Sequence, residues 1–239
     1  MHTLTLLDIP VHAVTLPQAV ERVAGLLATG QSSQIATVNP EFVMLAQGHA
    51  PFRQVLQRAA LCVADGVGIT LAARWLGQPL PARVTGVALC LALAERAAAA
   101  GWRVFLLGAA PGVAETTADV LRTHFPTLTI VGCYAGSPHP DDAPAIIQRI
   151  HEAAPQLLFV AYGAPAQDLW IATHQAATGV PIAMGVGGTF DYLAGRVPYA
   201  PTIIRRIGLE WLYRLIRQPW RWRRMLALPR FVWAVARAK

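Results

Sequence analysis

The stretch 155–190, PQLLFVAYGAPAQDLWIATHQAATGVPIAMGVGGTF, decides the fold class. It begins with an apolar run over Gln156–Tyr162, turns at a glycine and a proline, and continues as a helical pattern over Ala166–Thr178. A second apolar run over Val180–Val186 follows and ends in a glycine-rich turn. Strand, helix and strand in this order and at these lengths form a βαβ unit, whose two strands are parallel. The stretch therefore predicts an α/β protein.

The same alternation continues through the rest of the chain, so we predict a Rossmann-like parallel sheet flanked by helices. The further predicted strands are Gln34–Val38, Leu61–Ala64, Arg103–Leu107 and Leu128–Cys133. The predicted helices are Pro17–Thr29, Pro40–Gln47, Val67–Leu76, Val87–Ala100, Val113–His124 and Thr189–Ala194. Ahead of them, Thr3–Leu7 and His12–Thr15 are predicted to form an N-terminal β-hairpin that turns around Asp8–Pro10.

Composition excludes several classes of protein. The chain has 239 residues, of which 54% are apolar and 14% charged, so it can bury a sizeable core and is not disordered. Cys62, Cys90 and Cys133 are odd in number and far apart, which predicts reduced thiols and neither a disulfide framework nor a zinc site. The first ten residues lack the pattern of a signal peptide, and Leu169–Phe190 is interrupted by His174 and by Pro181. We therefore expect a cytoplasmic protein without a transmembrane segment.

The charge is concentrated at one end of the chain. Residues 1–195 hold 9 Arg and 12 Asp or Glu, a balance of −3, whereas residues 196–239 hold 10 Arg, Lys239 and one acid, Glu210, a balance of +10. The same 44-residue segment carries four of the seven tryptophans. We therefore predict an α/β body over 1–195 and a basic helical C-terminal appendage over 196–239. Arginine mixed with tryptophan is typical of a segment at an anionic membrane surface, and a nucleic-acid patch or a solvated basic face are the alternatives.

Arginines recur every three or four residues within Leu209–Met225. This spacing predicts one helix, kinked at Pro219, with the arginines in a stripe along it. The members of the stripe are Arg214, Arg217, Arg221 and Arg224.

The carboxyl ends of parallel strands are where ligands bind in open α/β sheets. Five such places are predicted to line one crevice: Asn39–Glu41, Asp65–Gly66, Gly108–Ala110, Gly163–Gln167 and Gly185–Thr189. Asp65 and Asn39 can each reach a ligand or cap the helix that follows. Arg83 lies in a loop between Pro81 and Gly86, where it can meet a phosphate.

Several catalytic motifs are missing. The glycines at 185–188 can hold a diphosphate, but they do not form the GxGxxG fingerprint, which weakens the alternative of a nucleotide-cofactor oxidoreductase. GxxxxGK[ST], GxSxG, HExxH and DxD are also absent from the sequence. Asp141–Asp142 is predicted to cap a helix, so we expect no metal site and no cofactor.

The ordered motifs of the chain resemble those of the WecG/TagA/CpsF glycosyltransferase family. The matching pieces are Thr37-Val-Asn39-Pro-Glu41, Ala64-Asp65-Gly66-Val-Gly68, Arg83-Val-Thr-Gly86, Phe105-Leu-Leu-Gly108, Gly163-Ala-Pro165-Ala-Gln167-Asp168, Gly185-Val-Gly187-Gly188-Thr-Phe190-Asp191, Ala194-Gly195 and Gly208-Leu-Glu210-Trp211-Leu-Tyr-Arg214-Leu. They span about 180 residues of the chain.

The resemblance implies an inverting, metal-independent transfer of a sugar from a UDP-sugar, such as UDP-N-acetylmannosamine, to a polyprenyl-diphosphate-linked sugar in cell-surface polysaccharide synthesis. It implies that Asp65 is the general base and that Arg214, Arg217 and Arg221 of the appendage bring positive charge to the active site. It implies that Arg83 is a further catalytic residue of the pocket. The substrate-binding residues that it implies are Thr37, Asn39, Gly108, Gln167, Gly185, Gly187, Gly188 and Asp191. The family usually has Glu at the position of Asp168 and Arg at the position of Tyr199.

The same resemblance implies where the protein works. It implies a peripheral protein on the inner face of the cell membrane, which binds an anionic lipid surface and no nucleic acid. The UDP-sugar is a substrate and no cofactor is implied. The oligomeric state stays open, with a homo-oligomer as one alternative.

Overall fold

The computed structural model describes residues 2–201, 203–204, 208–219 and 222–238, with all their side chains except that of Arg214. Its strands are β1 Thr3–Leu6, β2 Ile9–His12, β3 Ser33–Val38, β4 Leu61–Ala64, β5 Arg103–Gly108, β6 Thr129–Tyr134, β7 Leu157–Ala161 and β8 Ile182–Gly185. Its helices are α1 Leu16–Ala28, α2 Pro40–Gly48, α3 Ala50–Arg58, α4 Val67–Trp75, α5 Gly86–Ala100, α6 Val113–His124, α7 Ala143–Ala153, α8 Ala166–Thr178, α9 Thr189–Leu193, α10 Glu210–Arg217, α11 Trp222–Met225 and α12 Ala227–Arg237.

The predicted α/β architecture is confirmed. Six parallel strands form one sheet in the order β4-β3-β8-β7-β5-β6, and β1 and β2 form a separate antiparallel pair. Helices cover both faces, so central strands such as β7 are buried along their whole length. The chain moves outward from β3 to β4 and then crosses to β5 on the other side, which leaves an opening at the carboxyl ends around β3 and β8.

The hairpin is present, but its second strand begins at Ile9 and not at His12. The strands are joined by the two residues Leu7 and Asp8, whose φ angles are +49° and +66°. Two-residue hairpin turns of this kind match the right-handed twist of the strands, and Asp tolerates positive φ. Pro10 therefore lies in the strand, opposite Thr5, and not in the turn.

Two helices were not predicted. One is α3, which begins one residue after α2 ends, and His49 caps it by accepting a hydrogen bond from the N–H of Phe52 at 3.1 Å. The other is α7, which follows a 3-10 turn at Pro140–Asp142. Asp142 holds the N-cap position of α7, but its carboxylate accepts a hydrogen bond from the Ser137 hydroxyl at 2.6 Å and caps no helix N–H. The prediction that the Asp141–Asp142 side chains cap a helix is therefore wrong for Asp142.

The basic segment forms separate helices and not one kinked helix. The first of them, α10, ends at Arg217, and α11 begins at Trp222, with Pro219 between them. Proline has no N–H to continue a helix, so the break falls where the kink was predicted. The last helix, α12, packs on α2, and its Phe231 and Val235 are 3% and 4% exposed in the core that α2 shares.

The free thiols predicted from the sequence are confirmed. None of Cys62, Cys90 and Cys133 forms a disulfide, and burial raises the pKa of Cys62 and of Cys90 to about 12. Across the residues that the structure describes, every helix is too short or too polar to cross a bilayer.

Candidate active site

A cleft of about 600 Å³ lies over the carboxyl ends of β3, β4, β7 and β8. Its outer wall comes from the C-terminal helices and includes Glu210, Trp211 and Arg224. Eight of the residues predicted from the sequence line it: Thr37, Asn39, Asp65, Arg83, Gln167, Gly187, Gly188 and Asp191. The strand ends thus bring together side chains that are up to 154 positions apart in the sequence.

Asp65 stands at the centre of this lining, directly after β4. Its Oδ2 accepts a hydrogen bond from the N–H of Gly86, the first residue of α5, at 3.1 Å. The N-cap of the following helix α4 is Gly66, and no side chain caps it. The alternative in which Asp65 caps α4 is therefore wrong, and its carboxylate instead faces the positive end of the α5 dipole.

Thr37 places a hydroxyl beside this carboxylate. It lies at the end of β3 and is 7% exposed. A Cβ built on Gly86 would lie 3.5 Å from both Thr37 Oγ1 and Asp65 Oδ2, so both oxygens border the space beside Gly86 in the cleft. A hydroxyl donor and a carboxylate acceptor in the same part of a cleft are suited to holding a sugar hydroxyl.

Asn39 both caps a helix and lines the cleft, which are the two roles that the sequence allowed. Its Oδ1 accepts a hydrogen bond from the N–H of Phe42 at 3.0 Å and so caps α2. The same residue lines the cleft. Because the cap uses the oxygen, the side-chain NH₂ is the group with which Asn39 can reach a ligand.

Gln167 connects two loops of the cleft. It is 2% exposed, and its Oε1 accepts hydrogen bonds from the N–H groups of Gly163 at 3.1 Å and Gly187 at 2.9 Å. A Cβ on Gly185 would lie 2.5 Å from Gln167 Nε2. Gly185 therefore makes room for Gln167 from behind, and it is not among the residues that line the cleft.

Gly108 also lies outside the lining, although the sequence predicted that its loop would join the crevice. It ends β5, which is separated from β8 by β7. Its φ is +100°, and a Cβ there would lie 2.9 Å from the backbone carbon of Ala161. The residue must be glycine because β5 and β7 approach closely at this point.

Two ion pairs join the C-terminal helices to the cleft. Arg83 lies 3.7 Å from Glu210 at the start of α10, and Arg224 of α11 pairs with Glu41 in the first turn of α2. Sequence reasoning did not foresee either pairing, although both glutamates belong to the family motifs.

The three appendage arginines named from the sequence are placed differently. The Arg217 guanidinium lies 5.7 Å from the centre of the Tyr213 ring, and Arg217 is not among the described residues that line the cleft. Arg221 and the side chain of Arg214 lie outside what the structure describes. Their predicted role at the active site stays a prediction.

Tyr199, where the family usually has Arg, forms part of the cleft wall. Its ring packs edge to face against Tyr192, with centroids 5.2 Å apart and an interplanar angle of 68°. Position 199 therefore contributes an aromatic surface in place of a positive charge, a geometry suited to the apolar face of a sugar or a base.

Asp168 is a buried carboxylate behind the cleft. It is fully buried, and the side chains of Gln167 and Gln34 only partly offset the cost of burying its carboxylate. Burial raises its pKa from 3.8 to about 7. The carboxyl group therefore loses its proton only near neutral pH.

A metal site is not evident in the part of the chain that the structure describes. Within 2–201, 203–204, 208–219 and 222–238, no three His, Cys, Asp or Glu side chains form a cluster that could hold a metal ion. Asp141 and Asp142 lie in the 3-10 turn before α7 and do not line the cleft.

Comparison with known proteins agrees with this geometry. The family model described as "Glycosyl transferase WecG/TagA/CpsF family" matches residues 4–239. A Bacillus spizizenii protein named N-acetylglucosaminyldiphosphoundecaprenol N-acetyl-beta-D-mannosaminyltransferase is 35% identical over 201 residues, 84% of this chain and 77% of that protein. A protein of the same name from Staphylococcus aureus strain MW2 is 33% identical over 230 residues, 94% and 89% of the two chains.

Proposed function

The chain belongs to the WecG/TagA/CpsF family of glycosyl transferases, and from this premise we propose that it transfers a sugar from a UDP-sugar to a polyprenyl-diphosphate-linked sugar. The curated relatives are named for an N-acetylmannosaminyl donor group and an N-acetylglucosaminyl-diphosphoundecaprenol acceptor. We propose the same classes of donor and acceptor for this chain, with inversion at the transferred sugar and without a metal ion.

One observation carries the proposal: the Asp65 carboxylate and the Thr37 hydroxyl lie in the same part of a cleft that Arg83 and Arg224 border. In a direct displacement, Asp65 takes the proton of the acceptor hydroxyl as its oxygen attacks the anomeric carbon. The bond from that carbon to the UDP oxygen breaks on the opposite face, which inverts the configuration. UDP leaves with an added negative charge, and Asp65 later returns its proton to solvent.

The departing diphosphate needs positive charge, and arginines supply it in this proposal. The Arg83 and Arg224 side chains are partly exposed, by 25% and 44%, and are held by Glu210 and Glu41 at the cleft. Phosphate oxygens compete for such guanidinium groups because bidentate, charge-assisted hydrogen bonds are stronger than an exposed ion pair. Arg214, Arg217 and Arg221 stay proposed as further contributors.

We further propose that the protein works at the inner face of the cell membrane, because its acceptor is embedded there. The segment 196–239 supports this, since its balance is +10 and its exposed apolar side chains include Ile216, Trp222 and Trp233. Sedimentation with vesicles tests it. We expect binding to vesicles that contain phosphatidylglycerol, loss of binding in high salt, and little binding to phosphatidylcholine vesicles.

Transfer itself is tested with a synthetic N-acetylglucosaminyl diphosphate that carries a short prenyl chain. The protein is incubated with this acceptor and a panel of UDP-sugars: UDP-N-acetylmannosamine, its uronic acid and UDP-glucose. Intact-mass analysis is expected to show addition of one sugar from one donor. No addition from any UDP-sugar contradicts the proposal, and a thermal shift with NAD but not with UDP indicates an oxidoreductase instead.

A further inference from the structure

A second depression lies beside the cleft, between α4 and α12, and has a volume of about 820 Å³. We call it the apolar groove. Leu71 and Trp75 of α4 are 60% and 57% exposed in its wall, and Val232 of α12 is 66% exposed opposite them. Its volume is in the range of ligand pockets, about 300–1,000 Å³.

Helical spacing explains why the groove is apolar along its length. Leu71 and Trp75 are four residues apart on α4, and Val232 and Ala236 are four residues apart on α12. Side chains at this spacing lie on one face of a helix, so each helix presents a continuous apolar line to the groove. Of the described residues that line it, Arg74 alone is charged. Monomeric proteins rarely expose connected apolar surface without a ligand or partner for it.

The apolar groove is continuous with the cleft. Pro40, Gly68 and Leu228 line both. A ligand whose polar end lies in the cleft can therefore extend into the apolar groove without leaving the surface. Such a ligand has a charged head and an uncharged apolar tail that begins within a few bonds of it.

We propose that the apolar groove binds the first isoprene units of the acceptor's polyprenyl chain while its diphosphate and sugar occupy the cleft. This rests on the proposed function, because it deepens the acceptor site. An isoprenoid chain has no hydrogen-bonding atoms, so it matches a wall that is apolar apart from Arg74. The chain then continues from the far end of the groove into the bilayer.

Two water-soluble acceptors test the proposal without membranes. Both are N-acetylglucosaminyl diphosphates, one with one isoprene unit and one with three, and both are used as monomers in solution. We expect the wild-type kcat/KM to be more than about tenfold higher for the longer chain, because apolar burial grows with chain length. Trp75→Ser and Val232→Ser should each reduce this preference to less than about threefold, because kcat/KM should fall more for the longer acceptor than for the shorter one.

Trp233→Ser is the matched control. Trp233 is 59% exposed on α12, as Trp75 is on α4, but it does not line the groove. It should keep the full chain-length preference, and thermal unfolding should show that all three variants fold.

The outcomes separate the groove from the transferase activity. If both acceptors are used with equal kcat/KM, the groove does not bind the prenyl chain, and the proposed function is unaffected. If neither acceptor is used, both the groove proposal and the proposed function are wrong. If the chain-length preference survives Trp75→Ser and Val232→Ser, the groove proposal is also wrong. If these variants then lose only vesicle binding, the groove faces the bilayer. If Trp75→Ser and Trp233→Ser reduce the chain-length preference equally, the groove proposal is wrong and the prenyl chain adsorbs to exposed apolar surface in general.

Discussion

Arg83 and Glu210 lie 3.7 Å apart across the mouth of the cleft, between the loop before α5 and the first residue of α10. About a quarter of each side chain is exposed, so the pair contributes little to stability. A guanidinium held in this way is available to a ligand that offers stronger acceptors. Under the proposed function, the pair holds Arg83 at the cleft that Asp65 also lines until the diphosphate of the donor binds.

Comparing Arg83→Ala with Glu210→Gln tests this role. Both changes break the ion pair, but only the first removes the cation. We expect Arg83→Ala to lower kcat/KM roughly 10- to 100-fold, the worth of a charged hydrogen bond to phosphate. Glu210→Gln should lower kcat/KM less than about threefold. Equal losses of kcat/KM in both variants would show that Arg83 serves only the ion pair.

Asp65→Asn should abolish most turnover while UDP binding and folding are kept. Asparagine has nearly the same volume, and its side-chain oxygen can still accept the hydrogen bond from Gly86. It cannot take a proton at neutral pH, so we expect kcat to fall roughly 10²–10⁴-fold. The measurements are steady-state kinetics, UDP titration and thermal unfolding. Asp141→Asn, in an exposed turn outside the cleft, is the control, and turnover near the wild-type rate in the Asp65 variant would remove the general base from the mechanism.

Activity should be unchanged after treatment with EDTA and dialysis. Four carboxylates line the cleft, Glu41, Asp65, Asp191 and Glu210, but the two glutamates pair with arginines. The sequence has no DxD pair, and the described residues hold no cluster of three acids, so the donor set suits a metal-bound diphosphate poorly. Initial rates are compared before and after chelation and after addition of Mg²⁺ or Mn²⁺. A rate that depends on the added ion contradicts the prediction.

Asp168→Asn should stabilise the protein at alkaline pH. Because burial raises the folded-state pKa of Asp168 to about 7, folding favours the protonated form. Its contribution to stability is therefore complete below pH 4 and is lost as the pH rises through 7. Asparagine remains neutral, so the variant should gain up to about 4 kcal/mol over wild type at pH 8, about 2 kcal/mol at pH 5 and little at pH 4.

Thermal or urea unfolding between pH 4 and 8 measures this difference. Asp119→Asn is the control, since its carboxylate is exposed on α6 and pairs with the neighbouring Arg122. A stability difference between Asp168→Asn and wild type that does not change with pH would show that the pKa of Asp168 is the same in the folded and unfolded protein, which contradicts the prediction.

The sequence was sufficient for most of the fold because apolar runs and caps are local signals. Asn39 and Pro40 mark the start of α2, and Thr15 and Gln18 form a capping box at the start of α1. The missed helix α3 is mostly polar and buries only Phe52 and Leu56, so it lacks the apolar run by which the neighbouring elements were predicted.

Part of the candidate site could be predicted, because the strand ends that carry it are also local signals in the sequence. A glycine that follows a strand looks the same in the sequence whatever its role. Gly187 borders the cleft, whereas Gly108 allows β5 and β7 to approach closely. Glu41 and Arg224 are 183 positions apart, and their pairing depends on how α11 lies against the body. Propensity and spacing carry no information on such a contact, which follows only from the assembled tertiary structure.

The packing of α12 on α2 has a consequence for how the protein is made. A ribosome adds about 5–20 residues per second, so roughly 10–40 s separate the synthesis of α2 from that of Phe231 and Val235. During that interval the nascent chain exposes the apolar surface of α2 that these two side chains later cover. Completion of the wall between cleft and groove therefore waits for the synthesis of α12, and we expect the nascent polypeptide to be a substrate for chaperones that bind apolar segments.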